Sequence, residues 1–322
     1  MLGIKVTAPS AVADGIVRDL RGRDTVANIA RVPGAVLDGG GDLLLFDVAR
    51  EGANDVMRML RHRGVPREGS IVVSEPLAVL SDAADAAERA APGHPADGVL
   101  WAQLADRSRE DARPSWSFFV FLLLATLIAG IGRLLDQPIL IIGAMVVGPE
   151  FAPLAAISYA IVRARRGIAG MASLTLFGGF VASALVAWGL WALAYVFGVF
   201  TFAQATTGEL TEFIVKPDAW SFVIALLAGI AGVLSLTSSK SSALVGVFIS
   251  ITTVPAVGTL ALTAAVGAWD EAWAAVVQLV INLAGLLLAG TATLFVQLRV
   301  GRWVSDRVRM RRLRARRAAL RW

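Results

Sequence analysis

No cysteine occurs among the 322 residues, so disulfides and thiol chemistry are excluded and no redox compartment can be read. There are two histidines, His62 and His94, too few for a histidine-based metal centre. No P-loop, no Ser/His/Asp set and no cluster of metal ligands is present, and the glycine triplet at Gly39, Gly40 and Gly41 lacks the strand-to-helix setting of a dinucleotide loop. An enzyme is therefore not expected, and no cofactor is implied. The first residues, MLGIKVTAPSAV, lack the basic region and apolar core of a signal peptide, which keeps the N-terminal part in the cytoplasm. Charge is scarce at 17%, and long stretches between residues 116 and 298 carry none.

What fills the chain instead is apolar. Hydrophobic residues make up 56% and the mean hydropathy is +0.67, against roughly 45–50% apolar and 25% charged in an ordinary soluble domain. This is the composition of a membrane protein. Six spanning segments are expected, at about 116 to 135, 138 to 162, 168 to 197, 219 to 238, 241 to 267 and 271 to 298. Arg163, Arg165 and Arg166 follow the second segment, Lys240 the fourth and a basic tail the sixth. Glu209, Glu212 and Asp218, with Lys216, join the third to the fourth, and Asp270 and Glu271 the fifth to the sixth. The alternation puts both termini in the cytoplasm by the positive-inside rule, in a prokaryotic cytoplasmic (inner) membrane.

The first 76 residues read as a small α+β domain of ferredoxin-like type. Strands are expected at Leu2–Thr7, Val26–Val32, Asp42–Val48 and Ser70–Ser74, with amphipathic helices at Ala11–Leu20 and Ala53–Arg63. Strand, helix, strand, strand, helix, strand is the split βαβ order. Residues 77–115 read as a helical linker or collar, 116–299 as the six-helix membrane domain and 300–322 as a basic juxtamembrane tail.

The chain is organised around Pro138 to Val162, a membrane-length run broken by Gly143, Gly148, Pro149, Glu150 and Pro153. A carboxylate at mid-membrane costs roughly 2.5 kcal/mol or more, and proline removes a backbone donor. Glu150 is thus either a proton or cation site or a buried structural acid, paired with Arg133 or kept protonated. A second interrupted run, with Gly246, Thr252, Thr253 and Pro255, lies 99 to 103 residues further on if a four-residue insertion is allowed. Two halves of three spans each make an inverted repeat with broken helices two and five, the arrangement that places a transport site at the midplane. Gln278 and Asn282, four apart, either line a pathway or hydrogen-bond across helices. Ser238, Ser239, Lys240 and Ser241 make either an anion site or a capped cytoplasmic turn. The tail from Arg299 to Trp322 has ten arginines and one aspartate, a charge of +9 that leaves −4 on the rest of the chain. Arg302, Trp303, Arg307, Arg311 and Arg312 suit contact with anionic lipid, and no base-reading module points to nucleic acid. Small residues such as Ala228 and Gly232 suit close helix packing and a homo-oligomer.

The strings GRLLDQPILIIGAMVVGPEFAPLAAI and LLAGIAGVLSLTSSKSSALVGVFISITTVPAVG, with Asn282 in VINLAGLLLAG, resemble the prokaryotic membrane family called domain of unknown function 389. The resemblance runs from about Trp101 to Leu298 and implies a bundle of about six spans, often behind a small N-terminal domain, with no assigned function. Glu150 stands where that pattern is commonly apolar, and Pro255–Ala256 where it usually has two prolines. The function expected is a transporter or channel for a small solute or ion at the broken helices; the alternative is a membrane-anchored sensor or scaffold whose cytoplasmic domain binds a ligand or partner.

Overall fold

The computed structural model describes residues 1–91, 98–216, 219–237 and 252–319, with side chains at 213, 302 and 304–319 left undescribed. Its contacts divide the chain into two compact units, one built on Met1–Gln103 and the other on Leu104–Leu236 with the later membrane helices.

In the first unit, β1 (Leu2–Ala8) turns Leu2, Ile4, Val6 and Ala8 to one face by simple alternation, all four at most 2% exposed. The helix α1 (Ser10–Arg21) covers that face with Ala13, Ile16 and Leu20. The next two strands are β2 (Val26–Val32) and β3 (Asp42–Val48). They are followed by α2 (Arg50–His62), whose Ala53, Val56 and Leu60 join the same core. Each fully buried Leu or Ile contributes roughly 1.5–3 kcal/mol. A one-turn helix, α3 (Val65–Glu68), precedes β4 (Ser70–Ser74). The strand order is β2-β3-β1-β4 and every neighbouring pair is antiparallel, with Leu2 opposite Val48 and Gly3 opposite Ser74. The two strand–helix–strand crossovers therefore interleave, one helix in each, as the element order requires. Gly69 enters β4 against the carbonyl of Thr7, where a Cβ would collide with backbone. Further helices are α4 (Asp82–Ala90), capped by Ser81, and α5 (Trp101–Asp111).

The second unit is helical: α6 (Trp116–Leu134), α7 (Pro138–Val147), α8 (Phe151–Val162), α9 (Arg166–Val196), α10 (Phe202–Thr206), α11 (Ala219–Thr237), α12 (Thr253–Ala265) and α13 (Trp269–Ala319). Four of these are long and apolar enough to cross a membrane, counting Trp269–Gly301 of α13, and the bent pair α7 and α8 makes up to five. Of the fifth expected segment, residues 241–251 lie outside the described residues, and α12 is short for a span by itself. The core joins Phe118, Leu122 and Ala125 of α6 to Leu176 and Phe180 of α9, Val254 and Val257 of α12, and Leu283 and Leu286 of α13. Small residues let backbones close up. A Cβ on Gly258 would lie 2.7 Å from the Thr126 carbonyl, and one on Gly229 would lie 2.9 Å from that of Leu286. Ala228 is buried in this core, within the chain itself. Leu174, Phe177, Val181 and Leu185 of α9 are more than half exposed or at half, a lipid-facing pattern that water would penalise.

Local features recur along this unit at a near-constant spacing. Residues Trp116 and Ala219 start helices of 19 residues each, 103 positions apart, so no insertion is needed between them. Both α8 and α12 carry proline at their third position, Pro153 and Pro255. Two residues past the end of each comes one of positive φ, Ala164 at 51° and Gly267 at 81°. The next amide in each case reaches back five residues, Arg165 to the Ala160 carbonyl at 2.8 Å and Ala268 to that of Thr263 at 2.9 Å.

Candidate functional site

Gly148 is extended at ψ 127°, the conformation forced on a residue before proline, so α7 stops there and α8 restarts at Phe151 with a bend of 54°. Pro153 falls in the first turn of α8, where the missing donor costs the helix nothing. The start of α12 is made differently. Thr252 sits at φ 65°, the left-handed region, where a β-branched residue is an outlier that costs of order 1–3 kcal/mol. The helix α12 starts at the next residue.

The starts of α8 and α12 meet. Glu150 is 1% exposed, and the Thr253 hydroxyl donates to its Oε1 at 2.7 Å. The Asn282 amide of α13 donates to the Thr252 hydroxyl oxygen. A Cβ on Gly148 would strike Glu150 Oε2 and come within 2.9 Å of Val254, so glycine is what lets the carboxylate lie against the chain. Gln278, one turn before Asn282 on α13, is 1% exposed, and its carbonyl oxygen has no hydrogen-bond partner among the described residues. The structure thus joins Gly148, Pro149, Glu150, Thr252, Thr253 and Asn282, which the sequence had placed in two separate motifs. Gly143 takes no part: a Cβ there would meet nothing within 4 Å. Gly246, Ser238, Ser239, Lys240 and Ser241 lie outside the described residues, as do the side chains of Arg302, Arg307, Arg311 and Arg312. Trp303 is 54% exposed.

Arg133 is not the partner of Glu150. It is 1% exposed and holds the segment between α10 and α11, donating to the carbonyls of Thr206 at 2.9 Å and Gly208 at 3.2 Å and to the Thr211 hydroxyl at 2.9 Å. Asp136 completes this clasp by accepting from the Thr211 amide and hydroxyl and from the Leu210 amide. Partial burial pushes the Asp136 carboxyl up, but the Thr211 hydroxyl, the two amides and Arg133 together hold it below the usual carboxylate range. Sequence reasoning missed the clasp. The only signal was an arginine at the end of an apolar run, three residues before an aspartate.

Residues 145–288 match the family described as Domain of unknown function (DUF389). That stretch is just under half of the chain. The DUF389 segment begins within α7 and ends within α13, so Glu150, Thr252, Thr253, Gln278 and Asn282 all fall inside it. An uncharacterized protein of Methanocaldococcus jannaschii is 26% identical over 219 residues, 68% of this chain and 65% of the relative. The match thus spans less than two thirds of that relative's length. No solved structure matches.

Proposed function

We propose that the membrane unit is a transporter or channel for a small solute or ion, with its site where the breaks before α8 and α12 meet. The observation that carries this reading is the 1% exposed Glu150 held by Thr253 between the starts of α8 and α12. Buried ionisable groups and irregular backbone inside a membrane domain are costly and mark pathways. The recurrence at about 103 residues supports an inverted three-plus-three repeat. In this reading both termini lie on the cytoplasmic side of a prokaryotic inner membrane, the N-terminal unit is a ferredoxin-like domain and the basic tail meets anionic lipid. No catalytic role is assigned, and a homo-oligomer is the working assembly. Reconstituted into liposomes, the chain should pass at least one small solute or ion from a panel, and Glu150→Gln should abolish that flux while assembling normally. Flux of equal rate in Glu150→Gln would remove the carboxylate from the pathway.

The sensor or scaffold reading has one observation in its favour. Leu45 and Val72, 40% and 46% exposed, lie on the sheet face turned away from the core. A chain that passes nothing yet retains a soluble partner through residues 1–91 would fit it.

A further inference from the structure

The stretch between α9 and α11 touches the rest of its unit at few points. Among its described side chains from Thr201 to Lys216, only Ala205, Thr211 and Ile214 are buried. Phe200 and Ala205 pack with Leu262 of α12, beside Trp191 and Tyr195 of α9. Ile214 goes deeper. It is fully buried and forms one cluster with Ile141 and Met145 of α7 and Ala256 of α12, with Leu279 of α13 against it. Ala256 lies six residues before Leu262, so the chain dips by about 9 Å along α12 between the two contacts.

That cluster borders the candidate site. Met145, Ala256 and Leu279 stand three residues, or about one turn, from Gly148, Thr253 and Asn282 respectively. All three lie toward the end where α6 stops. The α7 helix turns inward from that end, where the Gln137 amide bonds to the Gly132 carbonyl. The α12 helix climbs alongside α6, since Gly258 meets Thr126 and Leu262 clusters with Leu134, and α13 runs back from there. The clasp of Arg133 and Asp136 grips 206–211, directly ahead of Ile214. It also has a second carboxylate to turn to. Arg133 Nε and Glu271 Oε2 are both buried with no hydrogen-bond partner among the described residues, and each side chain feels the other's charge. A guanidinium that let go of 206–211 would exchange partners instead of losing them, which is what an element with two populated states needs.

We propose that residues 201–214 form a lid over the junction of α8 and α12, with Ile214 as its stopper, Arg133 and Asp136 as its latch, and Glu271 as the group that receives Arg133 when the lid lifts. In the orientation proposed above it closes the site from the non-cytoplasmic side. This gives the transport site its regulation and rests on that reading for its purpose; the lifting itself is measurable without any solute.

Ala256→Cys puts the chain's one thiol in the fully buried cluster that Ile214 joins. Its modification by sulfonatoethyl methanethiosulfonate, in the full-length protein in lipid nanodiscs, reads how often the lid lifts. Asp136→Ala should speed that reaction about ten-fold or more, the factor for losing a hydrogen bond to a charged group. Ile214→Ala leaves the latch whole and should also speed it, and it serves if the aspartate variant does not fold. Glu271→Gln, which removes the second partner of Arg133, should slow it. The control thiol is Ala172→Cys, buried on α9 in the other cluster. An equal increase at both thiols is general loosening and overturns the proposal, as does an Ala256→Cys rate that neither lid variant moves. In proteoliposomes, Asp136→Cys and Thr211→Cys, whose native side chains meet at 2.8 Å, can be bridged by a short bis-methanethiosulfonate, which should stop flux until reductant is added. Flux that continues through the bridged protein overturns the lid and leaves the transport reading standing. Lid-dependent labelling with no flux of any solute upholds the lid and sinks the transport reading.

Discussion

Arg133 and Asp42 are both almost wholly buried, at 1% exposed each, and both depend on partners brought from elsewhere in the chain. Arg133 donates to three acceptors in 206–211, and hydrogen bonds to charged groups are worth about 1.5–3 kcal/mol each. Arg133→Leu should therefore lower stability by about 3 kcal/mol or more, and Arg133→Lys should recover little, because a single ammonium nitrogen cannot reproduce the planar two-nitrogen fork with which the guanidinium reaches these acceptors. Chemical denaturation and protease cleavage within 206–211 would show it; wild-type behaviour of the lysine variant would mean that the fork is not what holds the segment. Asp42 accepts from the Gly34 amide, the Ser10 hydroxyl and Arg31, and these hold its carboxyl below the usual range, the Gly34 amide most of all. A lowered folded pKa gives stability that is present above the unfolded carboxylate value of about 3.9 and is lost as pH falls through the folded one. Hydrogen exchange over residues 1–91 should thus show loosening on acidification, with a shallower pH slope in Asp42→Asn.

At the scale of elements, legibility followed distance along the chain. The strands Val26–Val32, Asp42–Val48 and Ser70–Ser74 appear with their expected bounds because alternation is a two-residue signal, complete within each strand. The break at Gly148–Pro149 was visible for the same reason: proline acts on its immediate neighbours. Around Thr252 an interruption was expected from Gly246, Thr252, Thr253 and Pro255, but the positive φ itself was not legible, since nothing in a threonine announces it. The short helix α10 also escaped, its capping box of Thr201 and Gln204 lying in a polar stretch that read as a loop. The candidate site shows the limit most plainly. Glu150 and Thr253 are each readable as oddities, but the bond between them spans 103 residues, and only the fold could bring them together.

For the molecule as a whole, the absence of cysteine becomes an experimental convenience. Any single cysteine introduced into this chain is the only thiol present. Arg165 and Glu209 are both exposed; Arg165 directly precedes α9, and Glu209 lies beyond its far end, after α10. The proposed orientation predicts that a membrane-impermeant maleimide applied to intact cells labels Glu209→Cys and leaves Arg165→Cys untouched until the membrane is opened. Labelling of both from outside would break the six-span topology. The clasp at Arg133 carries a last consequence, for biogenesis. Its acceptors lie 73 to 78 residues downstream of it, so they leave the ribosome only after α7, α8 and α9 have been made. Until then the guanidinium at the end of α6 has to stay with water or headgroups, which delays final seating of the first span until the third has been threaded and makes the first half of the chain a single unit of insertion.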